Sequence, residues 1–132
     1  MMMIPVDLRP SDIHGTGIFA KAHIRKNRVV WQFEPSLDRA IPPLMVKHAE
    51  PYIASFIRDR GYLSTQRPQW VLCIDEAQWW NFPRKGEEAN TRLGDVLDGE
   101  HLILAARDIE PGEEITIPPE SDADCERKMS QR

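Results

Sequence analysis

Apolar positions in this chain come in short runs separated by turn residues, and the runs carry strand rather than helix periodicity over most of the length. Val6 and Leu8 alternate with polar neighbours and predict a short first strand. Gly15-Thr16-Gly17 reads as a turn or bulge that leads into the apolar segment Ile18-Phe19-Ala20. Val29-Val30-Trp31-Gln32-Phe33, β-branched and aromatic, predicts a second strand. Trp70 to Ile74 and His101 to Ala106 predict two more, the first of them buried, and Ile115-Thr116-Ile117 a last short one stopped by Pro118-Pro119. Only the middle reads as helical. Pro42-Pro43 opens one short helix, and Pro51 suits the first turn of another, where a missing N–H costs nothing. Tyr52, Ile53, Phe56 and Ile57 then share a face, read as core-directed, and Gly61 is placed to end the helix. The stretch from Glu76 to Thr91 has no period and holds a polar loop, Pro83 to Glu88. The sum is a mainly β or α+β domain over residues 1–120 with a helical insert at about 36–68, followed by a polar tail, 121–132, expected to be frayed.

Composition narrows the function classes. The 132 residues fit one domain, and 11 prolines argue against a helix bundle. The net charge of −4 offers no basic field for nucleic acid, so no direct nucleic-acid partner is expected. No stretch approaches the roughly 20 apolar residues of a membrane span, so no membrane partner is expected either. Two cysteines, Cys73 and Cys125, make no disulfide framework, and a cytoplasmic location is the expectation. The four histidines have no metal-ligand spacing with each other or with the cysteines, so no metal is expected.

Gly15-Thr16-Gly17-Ile18-Phe19-Ala20 fits the dinucleotide pattern G-x-G-x-x-A, but the context is wrong. The preceding Arg9 to His14 is polar, and only about 10 residues separate the turn from the next strand, fewer than a parallel crossover takes.

Three segments taken together carry more information. They are Ser11 to Ala20 with Ile24 and Val29-Val30; Trp79-Trp80-Asn81 with Ala89-Asn90-Thr91; and Ala105 to Thr116, which contains Arg107-Asp108-Ile109-Glu110-Pro111-Gly112-Glu113-Glu114. In this order they resemble the SET-domain family of protein lysine methyltransferases, and most of all its compact, stand-alone bacterial, phage and viral members. The resemblance implies small sheets of the β-clip kind with a C-terminal pseudoknot. It implies S-adenosylmethionine as cofactor, held by Gly15, Thr16 and Gly17 and by Trp80, Asn81 and Phe82. Phe82 stands where the family has histidine, and the loop Pro83 to Ala89 is longer than the family's. The implied partner is a lysine-containing protein or peptide, and the implied reaction is N-methylation of that lysine.

Methyl transfer needs a neutral amine, and at pH 7 only about one lysine in 2,500 is neutral in water. A narrow apolar channel raises that fraction, and Trp31, Tyr62, Trp70 and Trp79 are the candidate walls on the substrate side. The family's tyrosine after the third segment is absent here, where Ile115-Thr116-Ile117-Pro118-Pro119 stands. Tyr62, just past the helix, is therefore the candidate catalytic hydroxyl. A second reading stays open, a SET-fold module that holds cofactor or a Lys-rich peptide with little turnover. Without flanking modules, the domain is also a candidate homodimer.

Overall fold

The structure, a computed structural model, describes residues 1–131; Arg132, the end of the expected tail, lies outside them. Strands β1 (Val6–Pro10) and β2 (Thr16–Ala20) form an antiparallel pair. Strand β3 (Val29–Trp31) lies beside β8 (Glu100–Ala105), which pairs in turn with β7 (Thr91–Leu97). The third sheet has the order β4-β6-β5, from β4 (Arg39–Ile41), β5 (Tyr62–Leu63) and β6 (Trp70–Leu72). All of these pairings are antiparallel. Helices α1 (Pro43–His48) and α2 (Pro51–Arg60) form the insert, each with proline in its first turn.

The three sheets share one core in which Ile18, Val30, Val71, Ile109 and Ile115 are fully buried. A smaller cluster of Val46, Ala54, Ile57 and Trp70 fixes the helices to the third sheet. Gly61 ends α2 for a reason other than left-handed backbone. Its N–H reaches the Ile57 carbonyl at 2.8 Å, and a Cβ there would stand 2.7 Å from the Val71 carbonyl oxygen of β6. The helix stop and the strand beneath it thus both require glycine.

Four expectations need correction. Strand β7 was not foreseen; it is joined to β8 by Asp98-Gly99, whose φ values of 55° and 87° fit the type I′ hairpin turn. Ile115-Thr116-Ile117 is not a ladder strand. Thr116 bridges Asn81 in parallel, and the Ile115 N–H bonds to the Ile18 carbonyl at 2.7 Å. The apolar stripe of α2 is not core: Tyr52 is 81% exposed, with Ile53 and Phe56 also exposed, and only Ile57 of the four turns inward. The insert packs on one small sheet, so Ala54 and Ile57 suffice for its buried face. Finally, the described part of the expected tail is not frayed: it holds helix α3 (Cys125–Ser130). Lys128 holds it, donating to the Gly61 carbonyl at 2.7 Å and pairing with the buried Asp122 carboxylate, with its ammonium over the Trp70 ring.

Candidate functional site

The β1–β2 turn is shaped by its own side chains. The Ser11 hydroxyl oxygen accepts from the Ile13 N–H at 2.9 Å, and the Ser11 N–H donates to the Gly15 carbonyl at 2.7 Å. Gly15 adopts φ +49°, and a Cβ on it would meet nothing within 4 Å, so its open side faces free space. Gly17 is the opposite case: a Cβ there would collide with a Glu114 carboxylate oxygen. It lets Glu114 and Asn81 close against the strand.

Glu114 ties the turn to the third segment. One of its oxygens accepts from the Ser11 hydroxyl at 2.6 Å, the other from Asn81 Nδ2 at 2.8 Å. Asn81 Nδ2 is also within reach of the His14 and Thr16 carbonyls, at 2.9 and 3.2 Å. Its amide nitrogen is therefore spent inside the protein, where it fixes the turn. At the far end of the 82–89 loop, Asn90 Nδ2 donates to the Glu114 carbonyl at 2.8 Å and Asn90 Oδ1 accepts from the Thr116 N–H at 2.9 Å. The Thr91 hydroxyl donates to the Thr116 carbonyl at 2.6 Å. Residues 114–117 are clasped by both ends of the loop, which is the expected pseudoknot with its loop enlarged.

Beside this clasp lies a cavity of about 750 Å³. It brings together Gly15, Thr16, Trp31, Tyr62, Trp79, Trp80, Asn81 and Phe82. Asp75 helps set Trp79 and Trp80, because its carboxylate accepts from the Ala77 N–H at 3.2 Å and starts the 3₁₀ turn Glu76–Trp79, which carries Trp79 and ends at Trp80. Two of the sequence candidates stand off the cavity. Gly17 faces Glu114, and Trp70 is packed among Val46, Ala54 and Ile57 with Lys128 over its ring.

One end of the cavity has a polar floor. Trp31 meets Tyr62 edge-on, with ring centroids 6.0 Å apart. The Tyr62 hydroxyl donates to Glu100 Oε1 at 2.7 Å, and Glu100 is 3% exposed. Glu100 Oε2 accepts from the Ser64 hydroxyl at 2.9 Å and from Arg67 Nε at 3.2 Å. Burial, and then the Glu100 charge, push the Tyr62 phenol well above its ordinary value, so it stays protonated.

Tyr52 and Phe56, one helical turn apart on α2, line the same cavity at its exposed side. Sequence reasoning missed this role because it counted both as core. It also assigned neither Glu114 nor Glu100 to the site. The signal for Glu100 was faint: it follows the Asp98-Gly99 turn, at the first position of a strand whose inward positions are apolar.

A family model described as the SET domain matches residues 15–118. A crystal structure of a Plasmodium falciparum protein assigned as a histone methyltransferase superposes with a TM-score of 0.58, over 89% of this chain and 94% of that one. The two sequences are 16% identical, so this likeness carries the fold alone. No curated protein matches the sequence. The family match runs from the G-x-G turn through the clasp at 114–117 and spans most of the chain, so the protein belongs to the SET-domain family.

Proposed function

We propose that the protein is an S-adenosylmethionine-dependent protein-lysine N-methyltransferase of minimal SET type. One observation carries the reading: a single cavity joins the glycine turn to an aromatic end that holds a tyrosine hydroxyl.

The residues present fit the cofactor. The cavity of about 750 Å³ lies within the size range of small-molecule sites, and the side of Gly15 that lacks a Cβ is open for close backbone approach. Gly15, Thr16, Trp80 and Phe82 would hold the cofactor, and Asn81 would hold the turn in place. Gly17 serves by letting Glu114 and Asn81 pack. When bound, the cofactor supplies a methyl on a sulfonium: the amine lone pair forms the N–C bond as the C–S bond breaks, and that electron pair stays on sulfur. The chain's own residues supply position. Trp31 and Trp79 wall the lysine stem and exclude water, which favours the neutral amine. Tyr62 is the hydroxyl that orients it. The partner is a lysine-bearing protein or peptide, and α2 presents Tyr52 and Phe56 to it at the cavity rim.

A radiolabelled methyl-transfer assay on histones and on lysine-rich peptides tests the proposal. Label on lysine is the expected result, and none on any lysine substrate refutes it. One observation favours the weaker, binding-module reading. After the clasp, the chain lines the cavity with the apolar Ile117 and then with Ser121 and Asp122, and no tyrosine stands in that segment. Calorimetric cofactor binding without transfer would select that reading. The proposal includes a homodimer that covers the exposed Leu44, Met45 and Ile53 of the insert; light scattering that shows a monomer at high micromolar concentration refutes it.

A further inference from the structure

The buried Glu100 is unused by the chemistry described so far. We infer that Glu100 is a positioning residue that fixes the polarity of Tyr62, making its oxygen an acceptor only toward the cavity. The inference rests on the methyltransferase reading and deepens it.

A phenol has one hydrogen and can accept through its oxygen. Its hydrogen is taken, since Tyr62 donates to Glu100 Oε1 at 2.7 Å. The bond runs this way because Glu100 acts as an acceptor on its other side too, where Oε2 faces the Arg67 guanidinium at 3.2 Å. Glu100 is itself held. The Ser64 hydroxyl oxygen accepts from the Gln66 and Arg67 N–H groups at 3.1 and 3.2 Å, which leaves its own hydrogen for Glu100 Oε2. Arg67 adds its guanidinium to the same oxygen at 3.2 Å. Any further hydrogen bond made by Tyr62 must therefore be accepted.

This matters for an amine nucleophile. A free phenol would donate to the amine lone pair, the same electrons that must form the N–C bond. A phenol locked onto Glu100 can only accept an amine N–H, which leaves the lone pair free and helps aim it. No proton passes to Tyr62 or Glu100 in this arrangement; the effect is one of orientation.

Glu100→Gln tests it with the shape kept. Arg67 and Ser64 draw the amide oxygen to their side, so the amide NH₂ faces Tyr62 and donates to it. The phenol hydrogen then turns toward the cavity. The variant should lose about tenfold or more in kcat, with KM for a lysine peptide and calorimetric cofactor affinity unchanged. Adding Tyr62→Phe should raise the rate of Glu100→Gln to that of Tyr62→Phe alone, because the obstructing donor is gone. A loss in Glu100→Gln that adds to that of Tyr62→Phe would overturn the inference, as a merely structural role predicts. A second readout needs no turnover. In a Tyr52→Phe background, used only for spectroscopy, the tyrosine ring doublet in the Raman spectrum reports Tyr62 alone. It should change from a donor to an acceptor pattern in Glu100→Gln, and an unchanged doublet also overturns the inference. A wild type that transfers no methyl, with the doublet changing as expected, fails the methyltransferase reading and the role of the pair with it. An active wild type with additive losses fails the role of Glu100 alone.

Discussion

Asn90→Ala should be among the most damaging single truncations outside the apolar core. The side chain of Asn90 satisfies two groups of one segment: the Glu114 carbonyl, through Nδ2 at 2.8 Å, and the Thr116 N–H, through Oδ1 at 2.9 Å. Asn90 is 6% exposed and Thr116 7%, so water does not readily replace the lost partners. An unsatisfied buried group costs about 1–3 kcal/mol, and two of them, with partial relaxation, give about 3 kcal/mol. Unfolding entropy near the midpoint is about 2.1 cal/mol/K per residue, or about 0.28 kcal/mol/K for a chain of this length, which makes the loss a fall in Tm of about 10 °C. Differential scanning calorimetry measures it, with Glu88→Ala as control. Glu88 is exposed in the same loop and its loss should stay within about 0.5 kcal/mol. A Tm for Asn90→Ala equal to that of the control would refute the clasp as a source of stability. Asn90 does not itself line the large cavity and reaches the glycine turn only through Glu114, so its loss should weaken cofactor binding less than Asn81→Ala does.

Asn81→Ala should weaken cofactor binding by about 1–3 kcal/mol by calorimetry, through loosening of the glycine turn; unchanged affinity would remove Asn81 from the site. Native protein should alkylate slowly at Cys125 and not at Cys73, whose thiol is pushed far up chiefly by burial, and both should react in denaturant; mass spectrometry of the native digest counts the sites. The hydrogen bond from Arg107, outweighing partial burial, holds the Glu113 carboxyl below 4.5, so its contribution to stability is present above about pH 4.5 and lost as pH falls through the lowered value. Glu113→Gln should flatten that part of the acid-unfolding curve, and superimposable curves would refute the linkage.

What the sequence disclosed follows from local physics. Strands β3, β6 and β8 were legible because β-branched and aromatic runs have few other uses. Helix α2 was legible at both ends, from Pro51 and Gly61. The face it buries was not. Its apolar stripe includes Tyr52 and Phe56, and no local pattern says whether such a stripe meets core or cavity wall. Strand β7 escaped because Thr91-Arg92-Leu93-Gly94-Asp95-Val96-Leu97 carries charge and glycine and stays largely exposed; Asp98-Gly99 was its real marker. The candidate site was legible at its glycines, tryptophans and Asn81, where a resemblance could be read. Glu100 and Glu114 were not legible, because each carboxylate is held by partners distant in sequence. Ser11 lies 103 residues from Glu114, and Tyr62 lies 38 from Glu100.

Those separations bear on how the molecule is made. The glycine turn is shaped by the first part of the chain but pinned by Glu114 and Asn81, and Glu114 is anchored in turn by Asn90. Contacts between distant segments form slowly, because loop-closure entropy must be overcome before they contribute. During synthesis, the turn therefore waits for nearly the whole chain to emerge, and a chain stopped before residue 114 has sheets without a clasp. Site assembly is then a late step in folding, coincident with closure of the 82–89 loop around residues 114–117. A ligand that bridges the turn and that loop would bind the last-formed part of the fold, and by mass action would hold closed what otherwise opens first.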